Sequence, residues 1–391
     1  MSSEDAWPSV DALLDQATQR EGCADWGSDT TFVENLRRLL DACRDAASLS
    51  VFGRAVLERT AIRHLRNRLA VEAYLSACPG AGAVPEKKAI VITGLPRTGT
   101  TLFHNILAAD PRHGTLRLWQ ALRPVPAASE AERRERVERA GAWLDGFYEA
   151  VPAFRAIHAL KPDGPEECDA LLQNSFASQH FADMFGAPHY SAWLEQAPLW
   201  AEYRHYARQL RVLESDIEKD AERWVLKSPS HLGHLDALRD ALGDPLVVVC
   251  HRDPPEAVGS YASLVRTLRT PYCERLSPDE IGREVLERCT QATTRFLRTR
   301  RQAGGEGFLD VSYRRLVAEP IAATEELYQQ AGLELTAEQR KAIEATIVAH
   351  PRHAHGRHDY HLAEFGLTAE QVEDALADYL EEFSSLATDR G

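Results

Sequence analysis

The 391-residue chain lacks a basic surplus: its formal net charge is -14. That argues against a nucleic-acid protein, which needs basic surface to neutralise phosphates. No uninterrupted apolar run approaches the length of a bilayer span, and the longest, residues 246–250 and 89–92, read as buried strands. The opening MSSEDAWPSV has neither a charged n-region nor an apolar h-region, so no secretory signal is expected. The seven cysteines, at 23, 43, 78, 168, 250, 273 and 289, are odd in number and scattered. They form no CxxC pair and no Cys/His cluster with zinc spacing, and the acidic clusters lack EF-hand or His/carboxylate spacing. These absences predict reduced thiols in a cytoplasmic protein, no metal and no membrane. Repeats and low-complexity segments are absent too. What is present is ordinary globular material, 44% hydrophobic and 27% charged. An acidic chain that binds phosphate must concentrate its Arg and Lys, so any basic cluster is informative.

From Val10 to about Ser76 the pattern is helical, with Leu36, Leu39, Leu40 and Cys43 at helical spacing. A turn-rich break spans Cys78 to Lys88. The apolar run AIVITGLP then leads into a Gly/Thr loop and a helix over 102–109. Further helices are predicted over 129–150, 163–185 and 202–219, the second after a Pro-Asp-Gly-Pro turn. Strands are predicted at 223–227, 246–250 and 307–311, with helices over 232–242, from about Pro255, and over 322–330. Strands alternating with helices argue for an α/β fold, a parallel, doubly wound sheet flanked by helices.

Gly94-Leu-Pro-Arg-Thr-Gly-Thr-Thr101 has the glycine spacing of a P-loop, directly after an apolar strand. Glycines let successive backbone N–H groups converge on an anion at a helix N-terminus. A nucleotide triphosphatase would follow Gly99 with Lys and then Ser or Thr, to reach the β/γ-phosphates and magnesium. Here those positions are Thr100 and Thr101, and the cation has moved into the loop as Arg97. Such a loop suits a terminal phosphate or sulfate. A plain Gly-rich turn is the bland alternative.

GLPRTGTTLFHNILAADP resembles the 5′-phosphosulfate loop of sulfotransferases that use 3′-phosphoadenosine 5′-phosphosulfate (PAPS), notably a bacterial branch with Pro-Arg-x-Gly-Thr-Thr. The resemblance implies cofactor contacts from Arg97, Thr98, Gly99, Thr100 and Thr101. VVVCHRDPPEAVGSYASL (247–264) resembles the family's 3′-phosphate motif, in which Arg252 is followed eight residues later by Ser260. DVSYRRLVAEP (310–320) resembles the segment whose Tyr lies near the adenine, making Tyr313 a candidate base contact, with a core Tyr as the other reading. The basic run 352–367 has two readings, a cap on the 3′-phosphate with Arg357 as one candidate contact, and a solvated His-rich loop. Likeness to the branch extends diffusely from Val10 to Phe383. It implies a helical extension over 1–85 packed on a sulfotransferase α/β domain over 86–391, with helical insertions forming an acceptor pocket.

Sulfuryl transfer needs positive groups on the sulfonate and a base for the acceptor hydroxyl. Arg97 is one cation, and Lys227, in RWVLKSPSHL, is the second. The stretch resembles the family's Lys-Ser-Pro-x-His segment beside the sulfate. His231 is a candidate base, its imidazole suited to neutral pH. Glu166 and Glu167, opening a predicted helix after the turn, compete with it; their other reading is helix capping. His180, Tyr190 and Trp193 are candidates for the acceptor pocket against a core role. The expected acceptor is a small-molecule or carrier-bound hydroxyl. A P-loop kinase or nucleotide hydrolase is the alternative, helped by Asp253 after a strand but missing the loop Lys. A non-catalytic protein that binds adenosine bisphosphate is a third reading.

Overall fold

The computed structural model describes residues 7–46, 48–78, 84–217, 221–349 and 361–388. Five parallel strands form one sheet: β1 (Lys88–Gly94), β2 (His113–Gly114), β3 (Arg223–Lys227), β4 (Leu246–His251) and β5 (Phe308–Ser312), in the order β2-β3-β1-β4-β5. Parallel strands are joined by helical crossovers that cover both faces of a sheet, so their sequences are apolar almost throughout. β1 fits: only Lys88 of its seven residues is exposed. Its side chains alternate, Val91 entering one apolar cluster and Ile90 and Ile92 the other. Val247 and Val249 of β4 join the first cluster, Val248 and Cys250 the second.

The first cluster is much the larger. Leu13, Leu36, Leu40, Leu65 and Leu69, from the helices Val10–Glu21, Thr31–Ala46 and Val51–Ala77, belong to it. The N-terminal helices therefore pack into the same core as the sheet. Buried polar contacts fix them: the Asn35 amide donates to the Ser175 carbonyl at 3.0 Å and to Glu202 at 2.8 Å. His64 Nδ1 lies 2.8 Å from Asn174 Oδ1.

Several expected elements are shifted. The continuous helix expected over 163–185 is broken into Asp169–Leu172, a 3-10 turn Gln173–Ser175 and Gln179–Phe185. Phe176 stands between them at φ +50°, a conformation no helix continues through. The helix expected over 202–219 runs Trp200–Leu213, and the one over 232–242 opens as the 3-10 turn Pro229–His234. The 25-residue helix Pro278–Gln302 and the two-residue β2 were not anticipated. The helix expected over 129–150 runs Glu130–Ala150, with Ser129 capping it by accepting the Glu132 N–H.

Candidate active site

β1 ends at Gly94, and the chain turns before entering the helix Thr100–Leu107. Gly94 (φ +142°), Arg97 (φ +73°) and Gly99 (φ +90°) make that turn. A Cβ on Gly94 would lie 2.4 Å from the Cys250 carbonyl oxygen, and one on Gly99 would lie 2.7 Å from the Tyr313 ring. Only glycine fits either position. Arg97 holds a left-handed backbone despite its side chain, a strain of about 1 kcal/mol or more that marks functional loops. The Thr98 hydroxyl donates to the Leu95 carbonyl at 2.7 Å and closes the loop.

The carboxyl ends of the neighbouring strands bring the other groups, where parallel sheets bind ligands. Arg252 follows β4. It donates to the Arg97 carbonyl at 2.9 Å, pairs with Glu256 at 2.8 Å and lies 4.6 Å over the Tyr313 ring at the end of β5. Arg97 Nε donates to the hydroxyl of buried Ser260 at 3.2 Å. Lys227 ends β3 with its side chain 1% exposed. Its ammonium donates to Thr101 Oγ1 at 3.3 Å and ion-pairs with Glu167.

Glu167 is held in place from both sides. The next residue, Cys168, donates its N–H to the Lys227 carbonyl at 3.1 Å, tying the segment to β3. Before it, Glu166 donates its N–H to the Leu116 carbonyl at 2.8 Å, and Glu166 Oε1 accepts the Glu167 N–H at 2.8 Å. Glu166 Oε2 is buried and has no hydrogen-bond partner among the described residues. Burial pushes the Glu166 carboxyl up to about 7. Burial also pushes Glu167 upward, but the Lys227 ammonium outweighs it and holds that carboxyl below its ordinary range. Adjacent carboxyls thus titrate on opposite sides of their usual value. Burial and the nearby Lys227 push His158 down to about 4.

Arg97, His158, Glu166 and Glu167 line one end of a cavity of about 280 Å³. Its remaining wall is drawn from well-separated segments, including Val56 and Thr60 of the first long helix, Trp143, and Leu264. A glycine loop, two cations and a buried carboxyl whose Oε2 has no hydrogen-bond partner among the described residues thus stand beside this cavity.

The sulfotransferase family model matches residues 89–337, well over half the chain. The chain belongs to the sulfotransferase family. The crystal structure of sulfotransferase STF1 from Mycobacterium tuberculosis H37Rv is 31% identical, covering 95% of this chain and 99% of that one with a TM-score of 0.80. Sulfotransferase STF9 from Mycobacterium avium is 29% identical, covering 98% of both chains with a TM-score of 0.85. A search of the curated proteins finds no match. Membership displaces the kinase and hydrolase alternative.

In this sulfotransferase the expected cofactor residues stand together: Arg97 with Ser260 and Arg252, Gly99 and Arg252 with Tyr313, and Thr101 with Lys227. His231 stands apart. Its ring is wholly buried, with Nδ1 2.8 Å from the Tyr203 hydroxyl and Nε2 3.1 Å from Cys168 Sγ, and it is not on the cavity wall. Burial pushes it down to about 3, so both its position and its partners correct the expectation of a base there. Tyr190 and Trp193 are core rather than cavity residues: the Tyr190 hydroxyl donates to the Phe176 carbonyl at 2.8 Å, and Arg38 lies over the Trp193 ring. His180 does line the cavity. His158 was missed, since an isolated His before a turn carries no pattern. Arg357 lies outside the described residues.

Proposed function

We propose that the enzyme transfers a sulfuryl group from PAPS to the hydroxyl of a small-molecule or carrier-bound acceptor by in-line displacement. The observation that carries this is the lysine-free glycine loop with Arg97 bound to Ser260 and capped by Arg252. PAPS, when bound, supplies the sulfuryl group and leaves as adenosine 3′,5′-bisphosphate. The loop fits such a donor because the turn through Gly94, Arg97 and Gly99 leads directly into the N-terminus of the helix Thr100–Leu107, where backbone N–H groups favour an anion. In this reading Thr98 to Thr101 and the helix N-terminus hold the 5′-end, while Arg252 and Ser260 hold the 3′-phosphate. Tyr313 lies against the adenine side.

Arg97 and Lys227 neutralise charge on the transferring oxygens, and the ion pair with Glu167 holds Lys227 in position. The acceptor oxygen forms its bond to sulfur as the sulfur–phosphate oxygen bond breaks, and the hydroxyl proton passes to Glu166. Glu166 is preferred over Glu167 because Glu167 is paired with Lys227, whereas Glu166 lines the cavity and its Oε2 has no hydrogen-bond partner among the described residues. A cytoplasmic setting belongs to the proposal: all seven cysteines are free thiols, and among the described residues no helix is long and apolar enough to cross a membrane. Calorimetric titration tests the donor. Tight binding of adenosine 3′,5′-bisphosphate with feeble binding of ATP and magnesium is expected; the reverse order would sink the reading.

A further inference from the structure

The cavity wall carries a second polar cluster, apart from Glu166, Glu167 and Lys227. Arg288, from the helix Pro278–Gln302, pairs with Asp183 and donates to Ser191 Oγ at 2.7 Å, to the Tyr261 hydroxyl at 3.2 Å and to Glu284 at 3.2 Å. Ser191 in turn donates to Gln179 Oε1 at 3.1 Å, and the Gln179 amide donates to Glu195 Oε1. A pocket of about 210 Å³ between the helices Pro188–Gln196 and Pro278–Gln302 shares Glu195 and Arg288 with the main cavity. These two residues therefore partition the two spaces.

Within this cluster the donors of Arg288, Ser191 and the Gln179 amide are already matched to acceptors. Glu195 is different. It is 6% exposed, and its Oε2 makes no hydrogen bond among the described residues. That oxygen lies 3.6 Å from where a Cβ on Gly233 would stand, and Gly233 is on the cavity wall. Burial pushes the Glu195 carboxyl up to about 7, as expected of a buried acid awaiting a partner. Much of the intervening wall is apolar, with Leu122, Phe154, Ile157, Phe181, Met184 and Leu268. Such walls give affinity to hydrocarbon, and the few placed polar atoms give orientation.

We propose that the acceptor is a largely apolar alcohol carrying a second hydrogen-bond donor, a hydroxyl or an amine, which Glu195 receives through Oε2. The inference rests on the proposed donor reading and names the acceptor class for that same site. A saccharide would leave most of its hydroxyls against carbon, each at a cost. A simple hydrocarbon alcohol would leave the buried Glu195 oxygen unmatched.

The test uses the full chain loaded with adenosine 3′,5′-bisphosphate and calorimetric titration of two matched series, straight-chain alcohols and α,ω-diols of six to twelve carbons. The diol of best length should bind about 10-fold tighter than its mono-alcohol, the worth of one buried hydrogen bond. Glu195→Leu should reduce that preference to about 2-fold while leaving bisphosphate affinity unchanged. Glu195→Gln keeps its one oxygen on the Gln179 amide and places an NH2 where Oε2 stood, which can donate to a diol hydroxyl, so it should retain part of the preference and guards against a misfolded Leu variant. Equal binding of diols and mono-alcohols, a preference that survives Glu195→Leu, or a loaded protein that binds neither series overturns the inference. Failure of the bisphosphate itself to bind would instead sink the donor reading.

Discussion

Arg97 lines the cavity, and Lys227, from a neighbouring strand, reaches it through its ion pair with the lining Glu167. Replacing either by Ala is expected to lower turnover about 10²–10³-fold, the usual worth of one preorganised electrostatic contact. Circular dichroism should show an intact fold, and normal turnover in both variants would remove them from the site. The two carboxyls predict the pH profile. Glu166, raised to about 7 by burial, is protonated below that value and can accept a proton only above it. If it is the base, the rate falls about tenfold per unit as pH drops below roughly 7 and levels off above. Glu167 is depressed and stays ionised across that range, so a base there would give a flat profile from about pH 5.5 to 8. Glu166→Gln should abolish the slope together with most of the turnover. At this scale the sequence is readable where residue type and backbone demand coincide, as at Gly94 and Gly99. His231 was misread because a His four residues after a strand-end Lys carries no sign of which way its ring turns. The ring packs inward against Tyr203 and Tyr206.

The element that carries the site is the sheet, with β1 at its centre and β3 and β4 on either side. Gly94 passes so close to β4 that a methyl group would meet the Cys250 carbonyl at 2.4 Å. Gly94→Ala is therefore expected to cost about 3 kcal/mol or more from a left-handed φ and overlap together, read as a lower midpoint of denaturant unfolding. A loss below about 1 kcal/mol would mean the loop shifts freely. The strands were legible because covered parallel strands are short apolar runs with turn residues behind them. The segment 163–185 was not, because its apolar spacing is helical on average. Its break at Phe176, and its tether from the Cys168 N–H to β3, come from tertiary contacts that local pattern does not encode. β2, two residues long, leaves no pattern to read.

Across the whole molecule, Leu13, Leu36, Leu65 and Leu69 of the N-terminal helices lie in the same apolar cluster as Val91 and Leu226 of the sheet, and Val56, Thr60 and Arg63 line the cavity. A chain of residues 86–391 alone would leave the partners of Leu36, Leu65 and Leu69 facing water. It is expected to be poorly soluble or to lack near-UV circular dichroism; a well-packed, bisphosphate-binding fragment would support an independently folding unit. The order of the strands also governs how the site comes into being. Arg97 and Arg252, which touch, are 155 residues apart, and Tyr313 comes later still. As the ribosome releases the chain, the phosphate loop emerges early and waits unformed for its lateral walls. Parallel pairings of such separation close slowly, since the loop entropy comes before the reward. A ligand that bridges β1, β4 and β5 can bind only after that closure, so donor or bisphosphate would hold the finished site together by mass action and would not hasten its assembly.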